Sequence, residues 1–211
     1  MGQIVDIGRR IELVPMDPHF HDITIALYRQ QRDEGPVFLV HTYSRIGGVQ
    51  RHIEFVNKAM MALGGMDLTP DGLLRFPCRS AHELACKRVF LEACKLDPSN
   101  EIELPPLNIL DKKSGLTITL LSPEDGVYQV TASGDGRGKE RRISAIAGGL
   151  LKLGQMQEVD QSSDQVAFPC GQTHDAMAGL LLIRAPNVRA VMREQDMSSS
   201  RGVLAAPSQP R

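Results

Sequence analysis

The chain has 211 residues, 42% of them hydrophobic, so it can bury one large apolar core or two small ones. Its formal net charge is −1, neither half is basic, and Trp is absent, so nucleic-acid binding is not expected. No apolar run is long enough for a transmembrane helix and the first residues do not form a secretory signal, so we expect a cytoplasmic protein without membrane contact whose four cysteines are free thiols.

Residues 1–98 are predicted to form three strands, a helix, a short strand and a second helix. The first three strands are IELVPM, DITIALY and PVFLVHTY, in which apolar residues alternate between polar turns. Apolar residues at spacings of three, four and three then indicate a helix with one buried face, formed by Ile53, Val56, Met60 and Leu63. Gly64 is expected to end this helix in a left-handed conformation. The short strand LLRFP precedes the second helix, which Ser80 and Glu83 are expected to cap.

The same elements recur in residues 99–196. The strands are IELPPL, LTITLL, VYQVTAS and QVAFP, and Gly154 is expected to end the first helix. The apolar face of that helix consists of Ile143, Ile146, Leu150 and Leu153. Length differences between the copies fall where turn-forming residues cluster, which is typical of a true repeat. The matches predict an internal duplication, followed by a further helix at APNVRAVMREQD and a disordered tail at residues 197–211.

The predicted fold class is therefore α+β, with two copies of a β-β-β-α-β-α unit. Each copy would form a two-layer sandwich, and a pseudo-two-fold axis would relate the two. The second helix of the second copy contains AMAGLLLI and is apolar around its circumference. Such a helix must be buried on both sides, so we expect it between the halves or against another subunit of a homo-oligomer.

The tripeptide Phe-Pro-Cys occurs twice, and a histidine follows each cysteine after four residues. The resulting pairs are Cys78–His82 and Cys170–His174, 92 residues apart. In a helical segment this spacing projects both side chains from one side, and a helix N-terminus favours a thiolate and a neutral imidazole. If the pseudo-two-fold axis joins the two strand ends, the four side chains form a closed tetrahedral set for a structural zinc ion.

Two other interpretations of these residues stay open. Both cysteines can fill the corner between strand and helix, just as Cys86 and Cys94 are expected to fill the core. Alternatively, Cys170 is a catalytic nucleophile with His174 as its base, in a hydrolase or transferase. Asp175 adjoins His174 and would point elsewhere on a helix, which argues against a catalytic triad.

A glycine-containing loop precedes the first helix of each copy, with the sequences SRIGGVQR and GDGRGKERR. Backbone N–H groups and arginines at a helix start can hold a phosphate or carboxylate. The residues expected to bind such a small anionic molecule are Gly48, Arg51, Arg137, Gly138 and Arg141. A solvated loop with surface charges is the alternative, and the glycine spacing matches neither a P-loop nor a dinucleotide fingerprint.

A second candidate metal group occurs in the first copy only. It consists of two histidines and two carboxylates close in sequence, with a third histidine in the following hairpin: Asp17, His19, His21, Asp22 and His41.

Taken together, these patterns favour a binding or assembly protein whose two halves frame one site for a small anionic ligand or a metal ion. A Cys/His-dependent enzyme and a purely structural oligomer are the alternatives. The sequence leaves open whether the chain is an enzyme.

Overall fold

A computed structural model of the protein describes residues 8–14, 23–43, 50–160 and 162–190. The first half contains the elements β1 (Arg9–Val14), β2 (Thr24–Arg32), β3 (Gly35–Tyr43), α1 (Gln50–Gly64), β4 (Asp67–Leu68), β5 (Leu74–Arg75) and α2 (Glu83–Ala93). The second half contains β6 (Asn108–Asp111), β7 (Leu116–Glu124), β8 (Val127–Ser133), α3 (Lys139–Gly154), β9 (Gln157–Glu158), β10 (Gln165–Ala167) and α4 (Asp175–Arg184), followed by a 3-10 turn at Ala185–Asn187.

Each half forms one antiparallel sheet of five strands with the same strand order. The orders are β1-β2-β3-β5-β4 and β6-β7-β8-β10-β9. The centre of each sheet is a hairpin, in which β2 pairs with β3 and β7 pairs with β8. The predicted α+β class with two similar halves is confirmed. Each half has one short edge strand more than the sequence indicated, namely β4 and β9.

A single hydrophobic core runs through both halves. Helix α1 contacts β3 and helix α3 contacts β8, so each helical layer lies on its own sheet. The two layers also touch, because α4 contacts α1 and α2, and α2 contacts α3. Between the layers Arg184 of α4 forms an ion pair with Glu92 of α2. The halves therefore meet through their helices.

Helix α4 lies between the halves, as its all-apolar sequence predicts. Its residues from Met177 to Leu182 are all buried, and it packs against α1, α2 and α3. A Cβ on Gly179 would lie 2.7 Å from the carbonyl oxygen of Pro105, so glycine lets the helix approach the chain that enters the second half.

Four details predicted from the sequence are wrong. The helices α1 and α3 keep Gly64 and Gly154 as their last residues, and the left-handed residues are Gly65 (φ 61°) and Gln155 (φ 52°). The reason is close packing, since a Cβ on Gly154 would lie 2.6 Å from the Leu181 side chain.

The other two errors concern the second helix and the sixth strand. Ser80 does not cap α2, because the helix begins at Glu83, whose carboxylate instead pairs with Arg9 and Arg29. The segment IELPPL is not a strand, and β6 begins after it at Asn108. Its two prolines have no N–H to donate to a sheet ladder, which explains the displacement.

Among the described residues no helix is both long enough and apolar enough to cross a membrane. The described part of the predicted helix after Pro186 is helical up to residue 190, and the rest of that segment lies outside the described residues. The tail at residues 197–211 lies outside the described residues.

Adjacent glycines in α3 give a matched test of this packing. A Cβ on Gly149 would lie 2.9 Å from both Cβ and the carbonyl oxygen of Ala185, whereas a Cβ on Gly148 would meet nothing within 4 Å. We expect Gly149→Ala to destabilise the protein by about 1–3 kcal/mol through overpacking. Gly148→Ala should leave stability unchanged or raise it by about 0.5–1 kcal/mol, because alanine is the better helix former.

Urea unfolding followed by circular dichroism measures both changes. Equal effects of the two substitutions would contradict the close contact between α3 and the 3-10 turn.

Candidate metal centre

The two Phe-Pro-Cys segments fold into the same tight turn, directly after β5 and β10. In each turn the fourth residue donates its N–H to the carbonyl oxygen of the phenylalanine, at 2.9 Å in both copies. Proline occupies the second position, where its fixed φ suits the turn. The fourth residue is left-handed in both copies, as Arg79 (φ 59°) and Gly171 (φ 69°).

The tip of each central hairpin packs against one of these turns. A Cβ on Gly35 would lie 2.9 Å from the carbonyl oxygen of Arg79, and a Cβ on Gly126 would lie 2.3 Å from that of Gly171. Both glycines have positive φ, so the hairpins use glycine to bring backbone against backbone. The rigid sheets thus hold the cysteine turns in place.

Each cysteine lies in the turn and each histidine lies at the start of the following helix. His82 directly precedes α2 and His174 directly precedes α4. The expectation that cysteine and histidine share a helical segment is therefore wrong. The turn, rather than helical spacing, brings Cys78 Sγ to 3.1 Å from His82 Nε2 and Cys170 Sγ to 3.2 Å from His174 Nε2.

The two pairs meet across the boundary between the halves. One potential ligand atom from each of Cys78, His82, Cys170 and His174 lies within 4.8 Å of all the others. The two imidazole rings have centroids 4.8 Å apart with an angle of 71° between their planes. The four side chains therefore form one cluster that could hold a metal ion, as the repeated pattern led us to expect.

Two phenylalanines form the apolar wall of this cluster. Phe76 and Phe168 are fully buried and meet the histidine rings edge to face. Phe76 lies 5.2 Å from His82 and Phe168 lies 5.2 Å from His174, measured between ring centroids. Each phenylalanine also contacts the histidine of the other half, at 6.0 and 5.3 Å. The wall is thus shared between the halves.

Burial keeps both imidazoles neutral. His82 and His174 are only 8% and 7% exposed. Desolvation, with a smaller contribution from His174, lowers the pKa of His82 to about 4. Desolvation also lowers the pKa of His174, partly offset by Asp175. The prediction of neutral imidazoles is therefore confirmed, with burial as the main cause.

The Cys170 thiol differs from the sequence-based expectation. The expectation was that a helix N-terminus would lower the cysteine pKa. Burial instead raises the pKa of the Cys170 thiol, and the neighbouring Cys78 acts in the same direction. The cysteine lies in the turn rather than in the first helical turn, where the helix dipole is strongest. Cys170 is thus no activated thiolate in the metal-free protein.

Backbone N–H groups approach both sulfur atoms. Ser80 donates its N–H to Cys78 Sγ at 3.5 Å, and Gln172 donates its N–H to Cys170 Sγ at 3.4 Å. Hydrogen bonds of this kind favour the charged form of a thiol. They are available to stabilise a thiolate once a cation is present.

The backbone positions the two histidines differently. His82 is left-handed, with φ 40° and ψ 44°, whereas His174 has φ −137° and ψ 67°. The N–H of His174 donates to the hydroxyl of buried Tyr128 at 2.6 Å. The residue that matches Tyr128 in the first half is Phe38, which has no hydroxyl. The two halves therefore bring equivalent imidazoles to one place through different local contacts.

Asp175 does not orient His174 for catalysis. Its Oδ1 accepts a hydrogen bond from the Tyr128 hydroxyl at 3.1 Å. Tyr128 thus connects the start of α4 to β8 and leaves the carboxylate in a structural role. This agrees with the sequence argument against a catalytic triad.

The remaining cysteines are part of the core. Cys86 is completely buried and Cys94 is 2% exposed, and neither forms a disulfide. Burial raises the pKa of Cys86 well above its usual value. Neither belongs to the four-residue cluster.

The structure describes most of the residues expected to bind an anion. Arg51, Arg137, Gly138 and Arg141 are exposed at the starts of α1 and α3, and Gly48 lies outside the described residues. Gly138 is left-handed, with φ 74°. The neighbouring Arg142 forms a bidentate ion pair with buried Asp111, at 2.6 and 2.7 Å. One positive charge of this loop is therefore already neutralised.

The second candidate metal group is mostly outside the described residues. This applies to Asp17, His19, His21 and Asp22. His41 is described, and its ring packs edge to face against Tyr28 and Tyr43.

Sequence reasoning missed the roles of three residues in this site. Phe76 and Phe168 belong to the repeated tripeptide, so the repeat itself was a signal that they share the site. Tyr128 gave no such signal, because its contact with His174 depends on how β8 lies beside the start of α4.

No protein-family model matches the chain, and neither curated proteins nor solved structures show a significant match. The site is therefore interpreted from its own geometry.

The lowered histidine pKa values predict a pH dependence for protein stripped of metal with a chelator. His82 binds a proton near pH 6.5 when unfolded but only near pH 4 when folded. Stability should therefore be fully present above pH 6.5 and fall as the pH decreases towards 4. The loss from His82 is roughly 3 kcal/mol over this window, and His174 adds to it.

Denaturant unfolding across this pH range checks the expectation. His82→Asn is the matched variant, because asparagine tolerates the left-handed conformation and does not titrate. Its stability should vary less with pH than that of the parent. Identical pH profiles would show that His82 is not held neutral by the fold.

Proposed function

We propose that the protein binds one zinc ion through Cys78, His82, Cys170 and His174, and that this ion fastens its two halves together. The observation that supports the proposal is the convergence of the four ligand atoms within 4.8 Å, two from each half. If these residues only filled the corners between strand and helix, their two sulfurs and two imidazoles would not need to converge on one point.

The spacing of the cluster suits a tetrahedral ion. With Zn–S near 2.3 Å and Zn–N near 2.0–2.1 Å, tetrahedral ligand atoms lie about 3.3–3.8 Å apart. The two sulfur–nitrogen contacts of 3.1 and 3.2 Å are slightly shorter, and the longest separation is at most 4.8 Å. Shifts of about 1 Å, which side-chain rotation can supply, would bring the four atoms to these distances.

The electronic state of the ligands also suits zinc. Zinc needs neutral imidazoles and thiolates, and the imidazoles are already neutral. The thiols must lose their protons on binding, and the N–H groups of Ser80 and Gln172 would stabilise the resulting charge. A mixture of two sulfur and two nitrogen ligands in a tetrahedral arrangement favours zinc over harder ions.

A closed set of four protein ligands implies a structural ion, because no position remains for a substrate or an activated water. The cysteines come from the turns after β5 and β10 and the histidines from the starts of α2 and α4, and the ion would therefore join one half to the other. The function we infer is that of a metal-stabilised binding or assembly protein. The anion site at Arg51, Arg137, Gly138 and Arg141, the homo-oligomer and the cytoplasmic location stay separate predictions.

The alternative is a thiol enzyme with Cys170 as nucleophile and His174 as base. The 3.2 Å contact between them favours it. Three observations weigh against it: the same contact recurs at Cys78–His82, the Cys170 pKa is raised, and Asp175 bonds Tyr128 instead of the imidazole.

Protein purified without chelator should contain about one zinc ion per chain. Removing it should lower stability, by about 4 kcal/mol where free zinc had exceeded its Kd a thousandfold. Elemental analysis and thermal unfolding with and without chelator measure both effects. Cobalt substitution should give the visible spectrum of a tetrahedral ion with thiolate ligands.

Cys86→Ala is the matched control for a cysteine variant, because alanine occupies the corresponding position, Ala178, in the second half. It should keep the zinc ion, whereas Cys78→Ser and Cys170→Ser should each weaken zinc binding more than 100-fold. Zinc retained by both serine variants, or absent from the unaltered protein, would contradict the proposal.

Alkylation distinguishes the proposed metal centre from the alternative of a thiol enzyme. With zinc bound, Cys78 and Cys170 should react slowly with iodoacetamide, and chelation should expose both to a similar degree. A thiol enzyme would instead show rapid reaction at Cys170 alone, whether or not a chelator is present. Peptide mass spectrometry of the alkylated protein distinguishes the two patterns.

A further inference from the structure

We propose that Cys78 and Cys170 form an oxidative modification site: a peroxide converts the two thiolates into a disulfide, and the zinc ion is released. This inference rests on the proposed zinc function, because zinc is what keeps the two sulfurs deprotonated at neutral pH. It adds a reaction, and a class of co-reactant, to a site that would otherwise be only structural.

The cluster has a buried side and an accessible side. The two imidazoles form the buried side, where His82 and His174 are less than a tenth exposed and lie against the phenylalanine wall. The cysteines are both only half-buried, so they form the more accessible side. A small oxidant arriving from solvent therefore reaches the two cysteines more readily than the two histidines.

The sulfur atoms are near enough to react with each other. They belong to a cluster whose ligand atoms are all within 4.8 Å, and a disulfide bond is about 2.05 Å long. To form the bond, the two sulfur atoms therefore need to move closer by at most about 3 Å. Both cysteines lie in short turns rather than inside a helix or strand, so their side chains can rotate without breaking backbone ladders.

The chemistry balances with hydrogen peroxide as the oxidant. One thiolate attacks the O–O bond, forms an S–O bond and releases hydroxide, which gives a sulfenic acid. The second thiolate attacks that sulfur, forms the S–S bond and releases a second hydroxide. The two sulfurs lose two electrons, and the peroxide gains them. The disulfide no longer supplies anionic ligands, so the ion retains only two imidazoles and dissociates.

The other two thiols are protected from the same oxidant. Cys86 and Cys94 are at most 2% exposed, and burial keeps the Cys86 thiol protonated. Oxidation should therefore be selective for the pair at the boundary between the halves. The halves would remain linked, but by a covalent bond between the turns in place of four ligands.

Trypsin makes the modification directly measurable. Cleavage after lysine and arginine places the four cysteines on four different peptides: 76–79, 80–87, 89–95 and 153–184. Zinc content is measured first, by elemental analysis of the untreated full-length protein. The protein is then treated with hydrogen peroxide, released zinc is followed with a chromophoric chelator, and peptides are mapped without reduction.

The expected result is a linkage between peptides 76–79 and 153–184, with one zinc ion released for each disulfide formed. Dithiothreitol followed by zinc should restore the original metal content. Cys86→Ala should behave like the unaltered protein. Cys78→Ser should give no linkage to peptide 153–184. This variant lacks one zinc ligand, so it is a control for disulfide formation and not for zinc release.

Failure of this inference is distinguishable from failure of the proposed function. A protein that carries zinc but keeps it through peroxide treatment, or that links a cysteine other than this pair, overturns the inference and leaves the zinc centre intact. A protein that carries no zinc before oxidant is added contradicts the zinc centre itself, and the inference with it.

Discussion

The convergence of two tight turns is the constraint on which the functional interpretation of this protein depends. Each turn follows a short strand, is closed by a backbone hydrogen bond, and is supported by the glycine at the tip of a hairpin. These contacts are local to each half. Contacts among α1, α2, α3 and α4 then bring the two turns together. The cluster of thiols and imidazoles thus forms only when the two halves dock correctly, and any change in that docking would separate the ligand atoms.

The surroundings of the cluster support the proposed metal centre over a catalytic role. The phenylalanine wall excludes water from the imidazoles and so disfavours their protonated form. The same exclusion raises the Cys170 pKa, which makes the free thiol a poor nucleophile. In the proposed metal centre, a doubly charged ion would suit the neutral imidazoles and would compensate the charge of the thiolates. The burial of the cluster would therefore complement cation binding in the proposed centre.

Much of this architecture could be predicted because the same residue patterns occur in both halves of the sequence. The alternation in β7 and β8, the spacing of Val56 and Met60, and the all-apolar α4 are local patterns, and the structure bears them out. The errors arose where a tertiary contact decided a local outcome. Gly154 permits the approach of Leu181 instead of ending the helix, and Glu83 pairs with arginines from β1 and β2 instead of capping α2. Burial raises the pKa of the Cys170 thiol, and the spacing of residues along the chain does not reveal burial.

The unequal backbones of His82 and His174 have a consequence for how such a protein can change over time. One imidazole reaches the centre from a left-handed residue, and the other from a residue with negative φ whose N–H is anchored by Tyr128. Since only the endpoints of the four side chains must coincide, the supporting chain on each side is free to diverge. Substitutions can thus make the two halves differ almost everywhere, and Phe-Pro-Cys with its histidine is the segment of each half that tolerates the least difference.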